Sequence, residues 1–139
     1  MVRLKSKTLV VLALSIFAGA CGNDNPVNPT PPAPIRVTET FTGPLNINGA
    51  ASYPFLVTTP GQIDLTIVNL DPFPEGSRVG LYLGTWNGTG CTVQVPNDNA
   101  FISTIVTGGA TGSGFLCARI YDVGKISGTT QFEIRIEHP

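Results

Sequence analysis

Charge is what this sequence has least of. Charged residues make up 12% of its 139 residues, about half the usual share of ~25%. Beyond residue 20 the basic side thins further, to Arg36, Arg78, Arg119, Lys125 and Arg135 against nine acids, a net charge of −4. Nucleic-acid surfaces need basic patches to neutralise phosphate, so that class of partner is excluded. Histidine is nearly absent. The single one, His138, is the penultimate residue, where a frayed chain end is expected and a catalytic base is not. The GxSxG, GxxxxGK[ST] and HExxH patterns are all missing. Glu133 and Glu137 share one strand face opposite Phe132, Ile134 and Ile136, which reads as a solvated face and not as a converging acid pair. No enzyme is expected. Long apolar runs are also lacking: Thr8 to Phe17 is the one such run, and it falls short of the ~20 residues of a permanent bilayer span.

What is present begins with that run. Arg3, Lys5 and Lys7 precede it, and Ala18-Gly19-Ala20-Cys21 follows it. A positive start, a short apolar run and small residues before cysteine resemble a bacterial lipoprotein signal with its lipobox, Ala18 standing where leucine is usual. The resemblance implies that residues 1–20 are a signal peptide and that Cys21 receives a diacylglyceryl thioether and an N-acyl chain. Several acyl chains, at ~0.8 kcal/mol per buried methylene, anchor stably to a membrane. The alternative is an ordinary signal peptide with Cys21 free. Gly22, in place of the aspartate that retains such proteins at the inner membrane, points to the outer membrane, on either its periplasmic or its surface side. Residues 21–34 then form a tether. Five of the twelve residues from Asn23 to Pro34 are proline, which favours an extended polyproline II spacer of about 35–40 Å.

With Cys21 assigned to lipid, Cys91 and Cys117 remain. In an exported, oxidising compartment they are expected to pair as a disulfide; two separate buried thiols are the rival reading. Without a CxxC spacing or a helpful histidine they make a poor zinc site.

From residue 35 the pattern is one of strands in a single domain, 35–139. Apolar residues alternate in Val37 to Thr42, until Gly43-Pro44 is expected to break the strand. They alternate again at Tyr53, Phe55 and Val57, at Ile63, Leu65 and Ile67, and at Val79, Leu81 and Leu83, where Gly80 and Gly84 leave room for close approach. Trp86-Asn87-Gly88-Thr89-Gly90 reads as a hairpin turn, and Thr92 to Val95 returns from it. Pro96 to Asn99 is expected to turn, Ala100 to Val106 to form a strand, and Gly108 to Gly114 a loop. Leu116, Ala118 and Ile120 face one way and Cys117, Arg119 and Tyr121 the other; Phe132, Ile134 and Ile136 close the series. About eight short strands with glycine and proline turns and no helical stripe predict an all-β, antiparallel β-sandwich. If Cys117 points away from Leu116 and Ala118, its disulfide lies on an outer face.

The succession Gly43-Pro44-Leu45, Tyr53-Pro54-Phe55-Leu56-Val57, Pro60-Gly61-Gln62-Ile63-Asp64-Leu65-Thr66, Val79-Gly80-Leu81-Tyr82-Leu83, Phe115 to Tyr121 and Gln131-Phe132-Glu133-Ile134 resembles the bacterial pre-peptidase C-terminal domain family. The likeness covers about residues 40–137 and rests on core and turn residues. It implies a jelly-roll-like sandwich with a binding or accessory role, sometimes with calcium, and without catalysis of its own. The Cys91/Cys117 pair and the lack of an adjoining protease domain depart from that family.

Two sets of residues are candidates for a site. Trp86 at the hairpin tip, with Tyr82 behind it and Asn87 beside it, can stack on a sugar or dock in a protein pocket; the blander expectation is that Trp86 folds over the sandwich end as a lid. Asn87-Gly88-Thr89 also spells a glycosylation sequon, which the turn explains. Asp71, Glu75, Asp98 and Asp122 are the loop acids that calcium would require, but their spacing matches no calcium loop and Asx residues in turns usually cap their own backbone. No other cofactor is expected. The functional expectation is a non-catalytic, membrane-anchored envelope lipoprotein that binds envelope polysaccharide or a protein; the alternative is a purely structural lipoprotein with no small ligand.

Overall fold

The computed structural model describes Pro32 and residues 35–139; residues 1–20, expected to be a signal peptide, Cys21 and nearly all of the expected tether 21–34 lie outside the described residues. Eight strands follow in order: β1 (Val37–Leu45), β2 (Ala50–Val57), β3 (Gly61–Asp71), β4 (Val79–Trp86), β5 (Cys91–Ala100), β6 (Ile105–Ala110), β7 (Gly114–Asp122) and β8 (Thr130–His138). They build two four-stranded sheets, β1-β8-β3-β6 and β2-β7-β4-β5, with every pairing antiparallel. The chain changes sheet at each connection except β4 to β5, the interleaved order of a jelly roll. The antiparallel sandwich expected from the alternation is the architecture found.

The alternating residues supply the core between the sheets. Ile63, Leu65 and Ile67 of β3, Val79, Leu81 and Leu83 of β4, and Phe132, Ile134 and Ile136 of β8 are all buried. At ~1.5–3 kcal/mol for each side chain, a slip of one residue in any of these strands would expose three at once, so register is strongly specified. One irregularity serves the same end. The β3–β8 register shifts between Ile67 and Asn69, which leaves Val68 and Asn69 both outward and returns Leu70 to the core.

Prolines mark the sheet edges. Pro44 lies in β1, Pro54 in β2 and Pro96 in β5, and all three are edge strands, where a missing N–H costs no ladder bond when it faces solvent. This corrects two expectations. Gly43-Pro44 does not end β1, which stays paired as far as Leu45 with Thr130. Pro96 to Asn99 does not turn either; β5 runs on to Ala100, taking up extra residues in a register shift between Val79 and Leu81 of β4.

The next segment is shifted accordingly. The expected strand Ala100–Val106 is mostly a turn, with Phe101 and Ile102 exposed and the Thr104 N–H donating to the Phe101 carbonyl at 2.9 Å. The strand is β6, and it includes the first part of the expected 108–114 loop. Glycine suits that strand because a Cβ on Gly108 would come within 3.0 Å of Leu83 Cδ1. His138 is also not a frayed end. It pairs with Val37, is only 2% exposed, stacks at 5.2 Å on Phe55, and its Nε2 lies 3.1 Å from Glu39 Oε1.

Register places Val37, His138, Gly61 and Ala110 at one end of the sandwich, together with the 87–90 hairpin turn. The chain thus enters the domain at the hairpin end. Arg36 fixes the entry, donating to Asp64 Oδ2 at 2.9 Å and to the Glu137 carbonyl at 2.8 Å. Burial acts to raise the Asp64 pKa, but hydrogen bonds from Gln62 and Thr107 and the Arg36 charge outweigh it and hold the carboxyl below its usual range.

Candidate functional site

The outer face of the β2-β7-β4-β5 sheet gathers most of the domain's chemistry. Alternation in β7 sends Leu116, Ala118 and Ile120 toward the core and Phe115, Cys117, Arg119 and Tyr121 outward. In β4 the outward positions are Gly80, Tyr82, Gly84 and Trp86. Pairing sets Gly80 opposite Tyr121, Tyr82 opposite Arg119 and Gly84 opposite Cys117.

The two glycines are what the face needs. A Cβ on Gly80 would lie 2.1 Å from Tyr121 Cζ, so the missing side chain lets the Tyr121 ring lie flat on the strand. A Cβ on Gly84 would meet the Thr92 carbonyl oxygen at 2.2 Å and Cys91 Sγ at 3.1 Å. There the start of β5 folds over β4, and the Cys91–Cys117 disulfide fastens it with Cα atoms 5.8 Å apart. The disulfide therefore lies on the outer face, as the alternation of Cys117 with core residues predicts.

On the hairpin side of the disulfide is an apolar recess of about 280 Å³ lined by Pro54, Trp86, Gly88 and Phe115. Phe115 is 56% exposed and Leu56, its partner on β2, is 47% exposed. Trp86 is half-buried and stands outside the core cluster, so it is not a lid over the sandwich interior. On the other side is an open groove of about 680 Å³ whose lining includes Tyr82, Val93, Pro96, Asp98, Arg119 and Tyr121. The Tyr82 and Tyr121 rings stand 5.7 Å apart at 59°. Each hydroxyl is fixed: Tyr82 donates to the Cys91 carbonyl at 3.0 Å and Tyr121 to the Asp98 carboxylate. Burial, then the hydrogen bond to Asp98 and its charge, push the Tyr121 pKa up to about 12. The phenol is a neutral donor throughout the physiological range.

The residues expected from the sequence fall as follows. Tyr82 and Trp86 share this face, one on each side of the disulfide. Asn87 is occupied by its own turn, its Oδ1 accepting from the Thr89 and Gly90 N–H groups at 3.0 and 2.8 Å. The four acids weighed for calcium do not converge; among the described residues no three of His, Cys, Asp and Glu could together hold a metal ion. Asp71 and Glu75 are exposed. Asp122 accepts the backbone N–H groups of Asn48, Gly124 and Lys125 at 2.8, 2.7 and 3.1 Å. Burial acts to raise its pKa, but these backbone donors together lower it.

Sequence reasoning missed Tyr121, Arg119, Pro54 and Phe115 as members of one face. The outward parity of Arg119 and Tyr121 was legible; their pairing with β4, more than thirty residues earlier, was not. A third cleft, of about 600 Å³, opens between the sheets beside the 108–114 segment. It is lined by aliphatic, aromatic, small and uncharged polar residues with no titratable side chain, so it offers shape with little chemistry. No protein-family model matches the chain, and no curated protein matches it.

Proposed function

We propose that the protein is a non-catalytic envelope lipoprotein, anchored through Cys21 to the outer membrane, whose domain binds envelope glycan. The observation that carries this reading is the outer face of the β2-β7-β4-β5 sheet. Four aromatic residues, Trp86, Phe115, Tyr82 and Tyr121, are set there with Arg119 and Asp98 in and beside an open groove. Aromatic faces stack on the apolar faces of sugar rings, while a few fixed polar groups orient the hydroxyls. A jelly-roll fold fits an accessory role, as does the resemblance to the pre-peptidase C-terminal domains.

The test is co-sedimentation of the protein with isolated peptidoglycan and with outer polysaccharide, for wild type and Trp86→Ala, with and without calcium. Retention of wild type on one polymer and a loss on the order of tenfold in the variant is expected. Calcium is expected to make no difference. No retention on either polymer would move the function to a protein partner or a structural role.

A further inference from the structure

The groove holds one arginine without a strong partner. Arg36 is paired with Asp64 at 2.9 Å and Arg135 with Glu137 at 3.2 Å. Arg78 donates to the Ser77 carbonyl at 2.6 Å and stacks 5.2 Å from the Phe101 ring. Arg119, in contrast, makes one long bond, from Nη1 to Ser52 Oγ at 3.4 Å, and none of the ion pairs among the described residues includes it. It is half-buried, with Ser52 and Tyr82 as its cross-strand neighbours. The carboxylate that shares its groove, Asp98, is engaged by the Tyr121 hydroxyl.

A guanidinium presents five donors in a planar fork and is matched best by a carboxylate or phosphate bound through two of them. Here the fork is set beside two aromatic rings whose hydroxyls are already committed, in a groove of about 680 Å³, within the size range of small-ligand sites. Tyr82 and Tyr121 offer faces to a sugar ring, and Arg119 offers a charge to a substituent on it. The acidic balance of the chain argues against a polyanion held by long-range attraction, and for one carboxylate recognised at short range.

We propose that the groove selects a sugar that carries a carboxylate, a hexuronate or a carboxyl-substituted amino sugar within a glycan chain, through a two-point contact with Arg119. This rests on the glycan-binding reading above and deepens it. The test uses the full chain in detergent, titrated with hexuronate oligosaccharides and with the same oligosaccharides after carboxyl reduction, for wild type, Arg119→Gln and Arg119→Lys. Thermal melts of the three proteins establish that each is folded.

The expected result is that wild type binds the acidic form about tenfold more tightly than the reduced form, the scale of a charge-assisted pair. Arg119→Gln should bind both forms alike. Arg119→Lys should recover part of the preference, because lysine keeps the charge and loses the fork. Equal binding of both forms by wild type would overturn the acidic preference and leave the glycan reading standing. A preference that survives in Arg119→Gln would overturn the role of Arg119. Failure of wild type to bind either form would overturn the acidic preference, and the glycan reading would fall with it only if isolated peptidoglycan and outer polysaccharide also failed to retain the protein.

Discussion

Tyr121 shows how much one residue's setting can decide. Its ring needs the bare Gly80 beneath it and its hydroxyl needs Asp98, a residue that β5 brings over through a register shift. Its pKa, raised from 10.0 to about 12, means that the folded chain holds the phenol proton more tightly than the unfolded chain does. The resulting stability is whole below pH 10 and is lost as the pH climbs toward 12. Phenolate absorbance of wild type minus that of Tyr121→Phe should show its step near pH 12; a step near 10 would mean that neither the burial of the ring nor its contact with Asp98 holds. Asp122 works with the opposite sign. Its carboxylate is favoured in the fold, so its contribution is present above about pH 4 and fades as acid protonates it. Asp122→Ala should cost about 0.5–1.5 kcal/mol in urea unfolding at pH 7, since its oxygens accept backbone N–H groups that lie near the surface and would turn to water instead, and the deficit should shrink at pH 3. Asp98 and Asp122 read alike in the sequence as loop acids; the backbone capping expected of Asx residues in turns is what Asp122 does, whereas the partnership of Asp98 with Tyr121 was not legible. Local spelling does not reveal which acid meets a tyrosine from another strand and which meets its own turn.

At the scale of strands, the order of the chain determines much more. The period-two alternation in β3, β4, β7 and β8 identified the core residues and the outward parity of Cys117, because the hydrophobic sorting of each strand is local information. The errors clustered where pairing overrides spelling. Pro44 and Pro96 read as breaks and are edge-strand residues. Phe101 and Ile102 read as strand and are an exposed turn. His138 read as loose and is paired with Val37. Edge position is a property of the whole sheet, so a proline's tolerance cannot be judged before the topology is known. The disulfide is the element that makes the outer face one object: it clamps the start of β5 and the Trp86 hairpin across β4 to β7. With 26 residues of sequence separation, removing it by the paired substitutions Cys91→Ser and Cys117→Ser should cost about 3–4 kcal/mol by loop-closure entropy. Urea unfolding with and without the bond measures this directly. A loss under 1 kcal/mol would mean that the pairings of β4 hold β5 in place unaided.

For the whole molecule, the chain enters the sandwich at the hairpin end, and the aromatic face runs from that end up one sheet. The central claim is that this face is where glycan binds, and the sequence provides its own reporter, because Trp86 is the single tryptophan and lines the recess at one end of the face. The most direct measurement is the intrinsic fluorescence of the chain, with acrylamide quenching, during titration with solubilised envelope glycan. The account predicts a saturable change in emission and reduced quenching as sugar covers the half-buried ring, with the same midpoint as binding measured by calorimetry. Calorimetric binding that leaves both emission and quenching unchanged would place the glycan elsewhere on the sandwich and contradict the account.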